Sequence, residues 1–180
     1  MMHEIFNTYR YLVGVDPGYG CTGLVVLGPG GTGIDLIIGR AYTSDSKLCR
    51  EERTHRLMLD VITKAYSVTL PCKDRPVLLA IEDNHFTGGK SAQNALLQRE
   101  LIGHMAASAW QYGFEVARVA PTTAKKALTG SGKADKLAMV AAATVVPGCP
   151  SGLARARIEA VADALGIALA GGGIKHGEWA

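Results

Sequence analysis

The chain has 180 residues, 48% of them apolar and 19% charged, the balance of a folded globular protein with a sizeable core and not of a disordered or fibrous chain. Its formal net charge of +3 is mildly basic, which suits a polyanionic partner without demanding one. Cys21, Cys49, Cys72 and Cys149 form no CxxC and no Cys/His cluster at zinc spacing, residues 1–10 lack the apolar run of a signal peptide, and the longest apolar stretches are too short to span a bilayer. A cytoplasmic protein with free thiols, no structural zinc and no membrane partner is expected.

Residues 1–9 read as a loose lead-in. Tyr11-Leu12-Val13-Gly14-Val15 is an apolar run suited to a buried strand, and it leads directly into Asp16. Pro17-Gly18 signals a turn, and residues 23–27 read as the returning strand. The glycine-rich stretch from Gly28 to Gly33 lacks the Lys-Ser/Thr of a P-loop and leads into a third strand over residues 34–42, so a hairpin loop is expected. Leu57, Met58, Val61, Ile62 and Ala65 recur at helical spacing within residues 50–67, with Ser44 and Ser46 as capping candidates. Val77 to Ile81 is a short, fully apolar run ending at Glu82, the pattern of a strand covered on both faces.

The longest helical stretch covers residues 91–112, with Gly113 as its stop. A strand over 114–119 follows. Helices are then expected from Pro121 to about Leu128, with Thr122 or Thr123 as cap, from 134 to 145, and from 155 to 170. Residues 174–180 read as a frayed tail. The expected fold is α/β: a five-stranded mixed sheet, made of a three-strand antiparallel meander plus two parallel strands, flanked by helices in a single domain over 1–180. The right-handed crossover rule places the strand ending in Glu82 beside the first hairpin.

Two acids thus terminate buried strands, Asp16 and Glu82. If those strands are parallel neighbours, both carboxylates lie at one edge of the sheet, where open α/β sheets place ligands. Asp163 interrupts an otherwise apolar helix, and Glu159 lies four residues earlier on the same face. Like charges at that spacing cost a helix about 0.2–0.5 kcal/mol, a penalty that a divalent cation would reverse. In the plainer reading both acids are solvated and Arg155 pairs with Glu159. Taken together, Asp16, Glu82, Glu159 and Asp163 make an oxygen-only donor set suited to Mg²⁺ or Mn²⁺. Two such ions activate water and stabilise the leaving oxygen in phosphoryl displacement.

Residues 121–136 carry Lys125, Lys126, Lys133 and Lys136 around Gly130-Ser131-Gly132, against one acid, Asp135. Lysines around a hydroxyl-rich turn suit contact with a phosphate backbone, and a solvated lysine face is the plainer alternative. Lys90 offers a second basic position in the loop after Glu82, where His85 or Phe86 is placed to stack on an unpaired base.

These segments together resemble the RuvC-type Holliday-junction resolvases of the RNase H-like superfamily, over residues 11–170. VGVDPGYGCTG resembles the family's first motif and AIEDNHF its second. NALLQRELIGHMAA is similar to its dimer helix, VAPTTAKKALTGSGKADK to its Pro-x-x-x-Lys…Gly-x-Gly-x-x-x-Lys segment, and ADALGIALA to its final acidic helix. The resemblance implies catalytic, metal-binding roles for Asp16, Glu82 and Asp163. It places Lys125 near the scissile phosphate and Lys136 on the DNA backbone. The family's fourth ligand falls on Ala160, and Glu159 is its natural substitute. The family's junction-probing aromatic falls on His85, with Phe86 one residue late. Both departures mark a divergent member, of viral or mobile-element origin.

The implied activity is a homodimeric, Mg²⁺-dependent endonuclease, Mn²⁺ substituting, with two ions per site. It would cut four-way junctions by paired symmetric nicks, leaving 5′-phosphate and 3′-hydroxyl ends, with a branch-migration helicase as partner protein. The competing readings are a broader flap and branched-DNA nuclease, an actin-like or sugar-kinase ATPase, and a DNA-binding protein without catalysis. The ATPase also begins on an Asp-x-Gly hairpin, but 180 residues leave no room for its second domain.

Overall fold

The computed structural model describes residues 2–30, 34–70, 74–83 and 92–179. The central strand, β1 (Tyr11–Asp16), is buried from Leu12 to Val15 because helices cover both of its faces. It pairs antiparallel with β2 (Cys21–Pro29), which pairs antiparallel with β3 (Ile34–Thr43), so the glycine-rich stretch does join a hairpin. On its other edge β1 pairs parallel with β4 (Val77–Glu82), and β4 with β5 (Glu115–Val119). The order is β3-β2-β1-β4-β5, the mixed five-stranded sheet expected from the sequence.

Side chains alternate across this sheet, as strand geometry requires. Val13, Val15, Leu79 and Ile81 face a cluster with Leu57, Val61, Leu101 and Met105 from α2 (Arg50–Thr69) and α3 (Ala92–Gln111). Leu12, Val25 and Leu78 face a second cluster with Leu128, Met139, Ala164 and Leu165. That face belongs to α4 (Pro121–Thr129), α5 (Lys136–Thr144) and α6 (Arg155–Gly171). Helix α6 is buried between the sheet and the other two helices, and Asp163 is the one charged residue between Ala160 and Gly171.

Helix α6 approaches the sheet at backbone distance. A Cβ added to Gly14 would lie 2.0 Å from the Ala164 carbonyl oxygen, and one added to Gly23 would lie 2.0 Å from that of Ala160. Glycine is therefore required on both strands, because any side chain would lever the helix off the sheet.

Both chain ends differ from the loose termini read from the sequence. Residues 2–8 form a short helix, α1 (Met2–Thr8), whose Phe6 is buried. At the other end Ile174 and Trp179 are buried, and the Trp179 Nε1–H donates to the Ala127 carbonyl at 3.2 Å. The capping expectations also give way. Helix α2 starts at Cys49 and α4 at Ala120, neither with a side-chain cap. Pro121 at the first turn of α4 has no N–H to satisfy, so its start needs no capping hydroxyl. Asp135 is the cap that forms: its Oδ1 accepts from the Ala138 N–H at 2.8 Å at the start of α5.

Candidate active site

The parallel register of β1 on β4 pairs Val15 with Ile81, so the next residues, Asp16 and Glu82, emerge side by side at the carboxyl ends of both strands. The turn after Asp16 is fixed locally. The Gly18 N–H donates to the Asp16 carbonyl at 3.1 Å, and the buried Thr22 hydroxyl donates to the Gly18 carbonyl at 2.8 Å. From α3, the Gln98 side-chain amide donates to the Pro17 carbonyl at 3.3 Å. The ring of Tyr19 lies under the Arg53 guanidinium, which also bonds the Ser44 hydroxyl, so the turn is tied to α2 as well.

Asp163 enters the same cleft from α6. The cleft, about 420 Å³, is lined by Asp16, Glu82, Gln98, Lys125, Lys136 and Asp163, together with Pro121, Ala124, Met139 and Ile167. Burial pushes the Asp16 carboxyl well above the usual carboxylate range; the negative charges of Glu82 and Asp163 and a hydrogen bond with Glu82 add to the rise, while Lys136 opposes it. Lys136 Nζ lies 2.6 Å from Asp163 Oδ2. Burial acts to lower the Lys136 pKa, but the bond to Asp163 and the charges of Asp163, Asp16 and Glu159 outweigh it and raise it. The ammonium is therefore the local counter-charge of a site crowded with acids.

Asp16, Glu82, Asp163, Lys125 and Lys136, all singled out from the sequence, are thus brought together. Glu159 is not among the residues lining the cleft. It lies one turn earlier on α6 with Oε1 2.8 Å from the Arg155 Nε, the i, i+4 pair weighed as the plainer reading. Ala160 is buried, with its carbonyl tight against Gly23. Lys126 and Lys133 are exposed and do not line the cleft. His85, Phe86 and Lys90 lie outside the described residues. Two features escaped the sequence reading. Gln98 in an amphipathic helix carries no chemical signal. Lys136 reaches an acid 27 residues away only because Asp135 caps α5 and aims its first turn at α6.

Among the described residues, no three His, Cys, Asp or Glu side chains converge tightly enough to grip a metal as they stand. The donor set nevertheless fits a hard divalent cation: it is all carboxylate oxygen, and the charges of Glu82 and Asp163 add to the burial that raises Asp16. Among the described residues, no helix is long and apolar enough to cross a membrane.

A mixed sheet in the order β3-β2-β1-β4-β5, with acids at the ends of β1 and β4 and a third acid on a helix packed across it, defines an RNase H-like protein. The chain belongs to the crossover junction endodeoxyribonuclease RuvC family, whose model matches residues 12–171. Family membership implies a divalent metal-dependent nuclease. The crossover junction endodeoxyribonuclease RuvC of Parvibaculum lavamentivorans is 28% identical over 158 residues, which cover 87% of this chain and 83% of that protein. Its namesake from Chloroherpeton thalassium is 28% identical over 124 residues, 69% of this chain and 62% of that protein. Among solved structures, Thermus thermophilus RuvC shares the fold with a TM-score of 0.69 at 24% identity, over 89% of this chain and 92% of that one. The same protein in complex with Holliday junction substrate gives 0.68 at 23% identity, over 90% and 92%.

Proposed function

We propose that the chain resolves four-way DNA junctions with Asp16, Glu82 and Asp163 as its catalytic acids. The observation that carries the reading is their convergence with Lys125 and Lys136 in one cleft at the carboxyl edge of β1 and β4. Two Mg²⁺ ions, for which Mn²⁺ substitutes, would be held by these acids and would supply an activated water and charge stabilisation at the leaving oxygen. The protein's own part is placement. Asp16 and Glu82 are fixed by strand pairing, and Asp163 by the contact of α6 with the sheet. Gln98 holds the turn behind Asp16. Lys125, from α4, neutralises charge on the scissile phosphate. Paired with Asp163, Lys136 offsets the repulsion among the acids, and it turns to the DNA backbone when cation and substrate enter. Glu159 serves as the fourth acid by releasing Arg155, one turn from Asp163. Lys133 lies on the same backbone-contacting segment.

The reading is tested with a synthetic four-way junction, a linear duplex, a flap and a fork, each with Mg²⁺. Paired nicks confined to the junction are expected. Equal cutting of flaps and forks would make the protein a general branched-DNA nuclease, and ATP binding without cutting would overturn the class.

The working unit is a homodimer, since a four-way junction offers two equivalent strands and each subunit carries one site. Helix α3 supports this. Leu96, Gly103, Ala107 and Trp110 lie at helical spacing on its exposed side, with Leu96 65% and Trp110 63% exposed. A Cβ on Gly103 would meet nothing within 4 Å, so the small residues leave a shallow groove between two bulky ends, shaped for the same helix of a second copy. Trp110→Glu is expected to raise the dimer dissociation constant at least about 30-fold, near the loss of one interface hot spot. Sedimentation at micromolar concentration reads it, and an unchanged dimer would remove α3 from the interface. A branch-migration helicase is the protein partner of such an enzyme, and the cytosol its compartment.

A further inference from the structure

Helix α4 has two working faces. Pro121, Ala124 and Lys125 line the acidic cleft. Thr123, Lys126, Ala127 and Gly130 line a separate groove of about 520 Å³ on the far side, completed by Ala170, Gly173, Ile174, Lys175 and His176.

We propose that this groove is a second phosphate-binding site, built by the C-terminal segment against α4, which takes the backbone of the DNA arm beyond the cut. The inference rests on the nuclease reading for its substrate and deepens it.

The segment is held in place. Gly173, at φ +69°, turns the chain after α6, and the Ile174 N–H donates to the Leu169 carbonyl at 2.9 Å. The last carbonyls of a helix lack intrahelical partners. Here the tail supplies them: Trp179 Nε1–H donates to Ala127 O at 3.2 Å, and His176 Nδ1 lies 2.9 Å from Leu128 O. A carbonyl only accepts, so His176 carries its proton on Nδ1. The tail is thus the C-terminal cap of α4, and capping fixes Lys175 opposite Lys126.

Among the described residues, no acid lines the groove. Glu178, the nearest acid on the tail, accepts from the Lys175 backbone N–H at 2.9 Å and lines the neighbouring hollow with Glu4 and Thr8. Lys126 and Lys175 enter no ion pair among the described residues. Two free ammonium groups and the Thr123 hydroxyl therefore face one groove floored by small apolar residues, which is the chemistry of a phosphodiester contact. The groove and the cleft are separated by one helix, about 10–12 Å across. Successive phosphates of one strand lie at least about 3.4 Å apart, so the bound phosphate is within about three nucleotides of the scissile one.

The test measures the salt dependence of binding to linear duplex and to a four-way junction, in EDTA, for wild type and Lys126→Gln/Lys175→Gln. Each lost phosphate contact lowers the slope of log K against log salt by about 0.9, so the double variant is expected to lose about 1.8, with binding about tenfold weaker at moderate salt. Neutral methylphosphonates placed singly within about three nucleotides of the cut should weaken the wild type at one position and leave the double variant unaffected there. An unchanged slope in a variant with an unchanged melting temperature overturns the site and leaves an acidic protein segment as the alternative occupant. If the double variant fails to fold, Lys175→Gln alone must lose about 0.9 of slope. The assay uses neither metal nor cleavage, so failure of the wild type to cut junctions would overturn the nuclease reading and leave this measurement independent.

Discussion

Asp16→Asn is expected to abolish cleavage and, at the same time, to stabilise the metal-free protein. Asn keeps the shape of the side chain but cannot carry the charge that a hard cation requires. A fall in junction cleavage of about 10³-fold is expected, equivalent to about 4 kcal/mol of transition-state stabilisation. Stability moves in the opposite direction because the Asp16 carboxylate is held by burial, Glu82 and Asp163 well above the ordinary value of 3.8. A carboxyl with a raised folded-state pKa binds more protons folded than unfolded, so the wild-type protein without metal loses stability as pH rises above about that ordinary value. Asn removes the ionisation, and the variant should lose this part of the pH dependence. Each kcal/mol of repulsion relieved raises the melting temperature by about 2–4 °C in a chain of this size. Thermal melts in EDTA across acid to neutral pH, beside cleavage with Mg²⁺, read both effects. A variant less stable than wild type at neutral pH would show that Asp16 is a structural turn residue.

Gly14→Ala, like Gly23→Ala, should be among the most damaging single methyl additions in the described residues. The Cβ at position 14 would fall 2.0 Å from the Ala164 carbonyl oxygen and 2.7 Å from the Ala168 nitrogen, both of them helix backbone that cannot rotate away. Overpacking usually costs about 1–3 kcal/mol, and a backbone clash between a central strand and the helix lying on it belongs at or above the top of that range. The functional consequence follows from the same contact. Asp163 precedes Ala164 on α6, so displacing the helix withdraws an acid from the cleft. Chemical denaturation should show a loss of about 3 kcal/mol or more, with cleavage falling further than the folded fraction accounts for. Gly103→Ala, which meets nothing within 4 Å, is the matched control and should fold as the wild type does.

Much of this architecture is legible in sequence because the sheet is covered on both faces. β1 and β4 read as continuous apolar runs, so the acid ending each is conspicuous, and the crossover rule alone makes the two strands neighbours. The i, i+4 relation of Arg155 to Glu159 is also visible, and the structure forms that pair. The ends of the chain were not legible. Seven residues of α1 are too few for a periodic signal, and Gly171-Gly172-Gly173 reads as a stop although Trp179 beyond it is buried. That ring is tied to one carbonyl of α4, that of Ala127, a tertiary contact across 52 residues. The Lys136–Asp163 pair was hidden for a similar reason: a lysine in a basic run signals phosphate contact, and only packing of α5 on α6 turns it toward an acid.

The central claim is that the fold gathers Asp16, Glu82 and Asp163 to hold a divalent cation. Calorimetric titration of Mn²⁺ into the protein alone, in two buffers of different ionisation enthalpy, tests it most directly. Saturable binding is predicted, with net proton release as the crowded Asp16 carboxyl ionises, and with both binding and release lost in Asp16→Asn. Equal binding by the wild type and Asp16→Asn, or no binding by the wild type, would contradict the account.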